Sequence, residues 1–235
     1  MNLIKHTMEP TRLLLTWKDK ANSRLLIIAE ILRENDNAKL TYLASTEDFK
    51  KAQENGFKYF PAFPDINKIH TVNVMEIFSR RIPPKQREDY NEFLQEIRLP
   101  KDVNISNFAL LGYSEVKLPS DGFAIINPFD NVESNIEFLT EIAGFRHYPK
   151  AVEMLNEDEL RISLPVNIEI EDTNKYDKLA VKAMLNNEKI GNINRVQNKA
   201  FRRWIHKHKK ISAQIEKING TPERPSIILF IKVEN

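Results

Sequence analysis

Short β-rich runs occupy both ends of this chain, and helical periodicity fills the stretch between them. Arg12 to Trp17, Arg24 to Leu32 and Lys39 to Ala44 are runs of strand-forming residues. The first two are separated by the polar Lys18 to Ser23, so the chain is predicted to open with an antiparallel meander. Ser45 with Asp48 three residues on starts a helix through Phe49 and Ala52, and Asn55-Gly56 stops it. Pro61 and Pro64 then impose an extended link. From Asn73, Val74, Ile77 and Phe78 recur at helical spacing up to Pro83-Pro84, and a second helix follows through Tyr90, Phe93, Leu94 and Ile97. Ile105 to Leu111 is predicted as a short helix ended by Gly112, and Phe123 to Ile126 as a strand. Residues 130–143 are mostly polar and are expected to link two halves, although Ile136 to Leu139 can also form a strand.

Beyond Gly144 the pattern turns to β. Glu159 to Leu164, Val166 to Glu171, Leu179 to Leu185 and Lys189 to Ile193 are short apolar alternations, with Asn186-Asn187-Glu188 as a turn. Arg195 to Lys210 has helical spacing, and Ile211 to Ile218 and Ser226 to Val233 close the chain as strands. Several short strands around one helix predict a small β-barrel. The expected fold is therefore α+β: an N-terminal mixed domain over residues 1–129, a linker over 130–143 and a C-terminal barrel over 144–235. At 235 residues the length suits two such units.

Composition narrows the chemistry. The chain has no cysteine, which removes disulfides, thiolate nucleophiles and thiolate-ligated metal, and fits a cytoplasmic setting. No run of about 18 apolar residues is present, so no membrane span is expected. The net charge of +2 is unevenly spread: residues 144–235 hold 17 Lys and Arg against 12 acids, near +5, which leaves the remainder near −3. A polyanion would meet the C-terminal part. There, Arg195 to Lys210 carries seven Lys or Arg, two His and no acid. As a helix it puts Val196, Ala200, Phe201, Trp204 and Ile205 on one side. Lys199, Arg202, Arg203, His206, Lys207 and Lys210 cover the other. Such a face attracts nucleic-acid phosphates with a salt-dependent affinity; the alternative is a solvated amphipathic helix.

Three ordered segments carry a resemblance. Gly144-Phe145-Arg146-His147-Tyr148, then Asn174-Lys175-Tyr176-Asp177-Lys178-Leu179-Ala180-Val181, then Lys189-Ile190-Gly191-Asn192-Ile193 are similar to the motifs of the HIRAN family, over about the last 90 residues. The resemblance implies a modified OB or SH3-like barrel that binds single-stranded DNA and can grip a free 3′ end. It implies that Arg146, His147, Tyr148, Asn174, Tyr176, Asp177 and Lys178 form the binding surface, with Asp177 bonding the terminal sugar hydroxyl. Lys199, Arg202, Arg203 and Lys207 would add electrostatic footing. Arginine suits this work because its planar, permanently charged group binds phosphate bidentately or stacks on a base, and a tyrosine ring offers a stacking platform. Tyr148 can stack or fill the barrel. His147 stands where the family often has an aromatic, and Lys175 replaces the usual proline, which loosens that turn. The alternative for Tyr176-Asp177 is a turn tyrosine beside a capping aspartate. Gly191 reads as a close-packing or bulge glycine rather than a ligand contact.

In the N-terminal part, Gly56-Phe57 to Phe63-Pro64-Asp65, the helix of Met75 to Arg81, Arg87 to Tyr90 and Leu110 to Tyr113 resemble the small N-terminal subdomain of HipA-type kinases. That implies an interaction or antitoxin-like regulatory module with a protein partner. The motifs of a kinase core are missing from the sequence. Pro64-Asp65 and, 50 residues on, Glu115-Val116-Lys117 spell the order of a magnesium-dependent nuclease core. That core needs its acids on neighbouring strands, whereas Asp65 falls in a Pro-rich link. The reading that combines these features is a non-enzymatic, cofactor-free DNA-binding accessory protein of bacterial genome maintenance or defence, recognising single strands or 3′ ends. The kinase-regulating interaction module and the nuclease stand as alternatives.

Overall fold

The computed structural model describes residues 2–18, 24–117, 121–221 and 223–235, and these form two compact units. The first comprises residues 8–97 and 101–130. The second takes the residues up to Thr7, the short segment Arg98–Pro100 and everything from Asn131 onward.

In the first unit, β1 (Arg12–Lys18), β2 (Leu25–Glu34), β3 (Asn37–Tyr42) and β4 (Phe123–Ile126) form an antiparallel sheet in the order β3-β2-β1-β4. The predicted meander is present. Residues 19–23 of the turn expected at Lys18 to Ser23 lie outside the described residues. Four helices accompany the sheet: α1 (Glu47–Glu54), α2 (Val74–Ser79), α3 (Tyr90–Glu96) and α4 (Asn107–Ser114). Thr46, one residue beyond the predicted Ser45, caps α1 by accepting from the Phe49 N–H at 3.3 Å. Gly112 lies inside α4 instead of ending it. A Cβ there would stand 2.8 Å from Leu13 Cδ2 and 3.3 Å from Asn127 Cβ, so the glycine suits the tight packing of α4 against these side chains.

The second unit contains β5 (Ile136–Glu141), α5 (Pro149–Asn156), β6 (Asn167–Ile170), β7 (Val181–Leu185), β8 (Glu188–Asn192), α6 (Asn198–His206), β9 (Lys210–Thr221) and β10 (Arg224–Glu234). All pairings are antiparallel, in two sheets of order β5-β10-β9 and β6-β7-β8. The expected linker at 130–143 is thus corrected. It holds β5, which pairs with β10 from Ile136–Val233 to Glu141–Ile228 and buries Ile136 and Phe138. The polar look of this stretch comes from Asn131 to Asn135, ahead of the strand. Two further expectations change. Glu159 to Leu164 is irregular rather than a strand, and α5, with Pro149 at its first turn, was not anticipated.

The regular ladders do not close into the expected barrel. The two three-stranded sheets instead meet at isolated bridges, Ala143 with Asn192 at one pair of edges and Pro165 with Gln214 at the other. α6 is shorter than Arg195 to Lys210, because His208 adopts a left-handed conformation (φ 55°) and Lys210 already belongs to β9. Its apolar side docks as expected: Phe138 of β5 meets Phe201 and Trp204 with ring centroids 6.0 and 6.1 Å apart. Two buried polar contacts orient the helix. Thr140 Oγ1 donates to Gln197 Oε1 at 2.7 Å, and Trp204 Nε1 donates to the Val132 carbonyl at 3.2 Å.

The assignment of the N-terminal residues to this unit has a physical cause. Glu137 on β5 and Glu216 on β9 are buried carboxylates, which require donors. Glu137 accepts from the N–H groups of Lys5 (2.5 Å) and His6 (3.2 Å). Glu216 accepts from the Asn2 side chain (2.6 Å) and from Arg98 Nε (2.6 Å). The residues expected at the start of the first domain are therefore bound into the second.

Gly191 sits where the segment after β5 reaches β8. A Cβ on it would lie 2.2 Å from Ile142 Cγ2 and 2.8 Å from the Ala143 carbonyl, and its φ is +151°. Gly191→Ala should destabilise the protein by about 2 to 4 kcal/mol through clash and backbone strain. Urea unfolding measures this, and a change under about 0.5 kcal/mol would show that the edge is not tightly joined.

Candidate nucleic-acid interface

β6 and β7 are connected by residues 171–180, which contain all of the second motif but Val181, the first residue of β7. Side chains organise this loop. Asn174 Oδ1 accepts from the N–H groups of Tyr176 (2.9 Å) and Asp177 (3.0 Å), and Asp177 Oδ1 accepts from the Leu179 N–H (2.9 Å). These Asx-type turns hold the backbone without help from a regular ladder. Tyr176 emerges at the tip with 91% of its surface exposed. The capping role foreseen as the alternative for Asp177 is therefore real. It does not account for the exposed ring beside it.

One carboxylate ties the loop to the other motifs. Glu171 accepts from Lys189 Nζ at 2.5 and 2.7 Å, from Asn174 Nδ2 at 2.7 Å and from Asn192 Nδ2 at 2.9 Å. Asn192 Oδ1 in turn accepts from the Tyr148 hydroxyl at 2.9 Å, and Lys189 Nζ stands 4.8 Å from the centre of the Tyr148 ring. The segments around 144–148, 171–178 and 189–192 thus share one hydrogen-bonded network. Desolvation alone would push the Glu171 carboxyl up. The hydrogen bonds from Lys189, Asn174 and Asn192 and the Lys189 charge outweigh it and hold the group below its ordinary value.

The remaining predicted residues divide. Arg146 and His147 are exposed on a 3-10 turn at Phe145–His147. Tyr148 is half-buried and committed to Asn192, which favours its structural role over stacking. Lys178 is exposed next to Asp177, and Asp177 Oδ2 accepts from Asn198 Nδ2 at 3.0 Å, joining the loop to the first turn of α6. Lys199 is exposed on the following residue, and Arg202 reaches back to the loop, its Nη2 2.8 Å from Asp172 Oδ1.

Arg203 and Lys207 belong to a different neighbourhood. Lys207 Nζ lies 2.7 Å from Glu133 Oε1, and Lys209 Nζ 3.7 Å from Glu133 Oε2. The Lys207 hydrogen bond, followed by the charges of Lys207, Lys209 and Arg203, holds the Glu133 carboxyl below its ordinary value. The basic helix has no acid of its own, but two acids distant in sequence, Asp172 and Glu133, answer its cations. The continuous cationic face expected across Lys199 to Lys207 is therefore divided, and its Lys199–Arg202 part adjoins the loop.

No protein-family model matches the chain, and neither does any curated protein sequence. Two solved structures are similar to part of it. The HIRAN domain of human HLTF is similar over 41% of this chain and 74% of its own, with a TM-score of 0.33 and 17% identity. A protein from Lactobacillus plantarum is similar over 43% of this chain and 98% of its own, with a TM-score of 0.35 and 18% identity.

Glu171, Lys189, Asn192 and Asn198 were not among the predicted site residues, although Lys189 and Asn192 lie in the third motif. Neither acid of the nuclease pattern lies on a strand. Asp65 caps its own turn by accepting from the Asn67 N–H, and Glu115 ends α4 in a left-handed conformation and pairs with Lys117. Among the described residues no group of three or more His, Asp or Glu is placed to hold a metal ion, and no helix is long and apolar enough to cross a membrane. A cavity of about 770 Å³ borders Leu3, Lys5, Glu137, Phe230 and Lys232 and includes none of the predicted residues.

Because the folded-state value of Glu171 is depressed, its stabilisation is complete above the ordinary glutamate value of 4.5 and is lost as pH falls through the folded value. Glu171→Gln should therefore be less stable than the wild type at neutral pH, and the difference should shrink below about pH 4.5. Denaturant unfolding at several pH values measures it. A difference independent of pH would remove the charged network from the account.

Proposed function

We propose that the second unit is a HIRAN-like module that binds single-stranded DNA, and that the chain acts as an accessory protein without catalysis of its own. The observation that carries this reading is the exposed Tyr176 ring, held on a side-chain-braced loop next to cations that lack an acidic partner among the described residues. An isolated exposed tyrosine contributes nothing to a core. Braced in place, it costs little further ordering when a base stacks on it, and stacking is tolerant of sequence. Arg146, Lys178 and Lys199 are exposed and make no ion pair among the described residues, so their charges are available to phosphates.

The ligand chemistry follows from this mixture. A duplex offers its phosphates but keeps base faces stacked, whereas a single strand offers both, so a lone aromatic with scattered cations suits the single strand. A free 3′ end is a narrower case. Asp177 keeps its carboxylate on Leu179 and Asn198, so binding a terminal hydroxyl would add a third bond to an occupied acceptor, which carboxylate lone pairs permit.

Tyr176→Ala should weaken binding to a fluorescent single-stranded oligonucleotide by about 1 to 3 kcal/mol, read by anisotropy at fixed low salt. Equal affinity would return Tyr176 to a purely structural turn. Removing the charges of Arg146, Lys178 and Lys199 should lower the slope of log affinity against log salt by about 0.7 for every phosphate that is no longer neutralised. An unchanged slope would move the phosphate contacts elsewhere.

A further inference from the structure

Arg202 stands in an incomplete pairing. Its side chain is 18% exposed and bonds Asp172 through Nη2, while Nη1 is buried without a hydrogen-bond partner. Asp172 is 75% exposed, and this ion pair is its one described tether. A guanidinium presents a fork of donors that a phosphate can engage at two nitrogens at once, whereas Asp172 engages one. One turn earlier on the same helix, Asn198 is 2% exposed. Its Nδ2 holds Asp177, and its Oδ1 is buried and accepts no hydrogen bond. A buried donor and a buried acceptor, four residues apart and so on the same side of α6, both lack a hydrogen-bond partner where the loop is bonded to the helix.

We propose that Arg202 and Asn198 form a nucleotide subsite that Asp172 covers in the unliganded protein. A strand phosphate would replace the Asp172 carboxylate on Arg202 and take up Nη1 as well, and the Asn198 carbonyl would accept from a hydroxyl or amino group of the same nucleotide. Asp172 acts as an internal competitor: it screens Arg202 until a more fully bonded anion arrives. The inference rests on the proposed binding of single-stranded DNA and adds which cation receives a phosphate and which acid opposes it. An exposed carboxylate held by one ion pair is of the kind that contributes little and exchanges readily.

The test is oligonucleotide binding by the full chain, read by anisotropy, in a double-mutant cycle of Asp172→Asn and Arg202→Lys. Lysine keeps the charge and loses the fork. The effect of an exposed ion pair corresponds to a gain of about three- to fivefold in affinity for Asp172→Asn. Glu169→Gln, which removes the same charge from a β6 residue paired with Lys182, serves as control and should change affinity by less than about twofold. In the Arg202→Lys background the Asp172→Asn gain should largely disappear. If the wild type binds the strand and Asp172→Asn gains nothing, gains no more than Glu169→Gln, or gains equally with lysine at position 202, the subsite is wrong while the binding function stands. If the wild type does not bind, both fall.

Discussion

A partly buried carboxylate has to collect donors, and Glu171 collects them from its own loop and from β8, through which it is linked to a third stretch at Tyr148. Lys189 and Asn192 come from β8, Asn174 comes from Glu171's own loop, and Asn192 passes the connection on to Tyr148. Charge-assisted bonds of this kind are short and directional, so they fix the loop's base and leave its tip to the Asx turns. The exposed Tyr176 is a consequence: the loop has no need of the ring for its own stability.

The same principle recurs elsewhere in this unit. Glu137 and Glu216 gather Lys5, His6, Asn2 and Arg98, which binds chain segments far apart in sequence. Glu133 and Asp172 answer the cations of α6, which divides that helix electrostatically. Among the described residues of the site, what remains uncompensated is a small group, Arg146, Lys175, Lys178 and Lys199, and not the broad basic face that the linear sequence suggests. A surface of that kind favours a weakly sequence-dependent, salt-sensitive contact in which stacking and a few phosphates act together.

Much of this was legible in the sequence, for local reasons. Period-two alternation found β7 and β8, the Asn186-Asn187 turn found their hairpin, and the apolar stripe of α6 found its docking side. Gly191 read as a close-packing residue because glycine inside a strand pattern signals a tight approach. The misses are long-range. Glu133 lies 74 residues from Lys207 and Asp172 lies 30 from Arg202, so no window along the chain could show that they neutralise the helix. β5 was legible only as an alternative at Ile136 to Leu139, because the polar Asn131 to Asn135 precedes it. Closure of the barrel was not legible, because sequence patterns specify strands but not whether their edges meet along a regular ladder or at isolated bridges. Gly112 misled for the opposite reason, since a glycine that packs tightly inside a helix looks the same in sequence as one that ends a helix.

The central claim is that the network-braced loop and the first turn of α6 together make the surface that receives a single strand. Amide chemical-shift mapping tests it most directly, with the full chain titrated by an unstructured oligothymidine at low salt. The account predicts that the largest shifts fall within residues 146–148, 171–180, 189–192 and 198–202. Shifts confined to residues 12–97, or absent at an oligonucleotide concentration that saturates the anisotropy signal of the same sample, would contradict it.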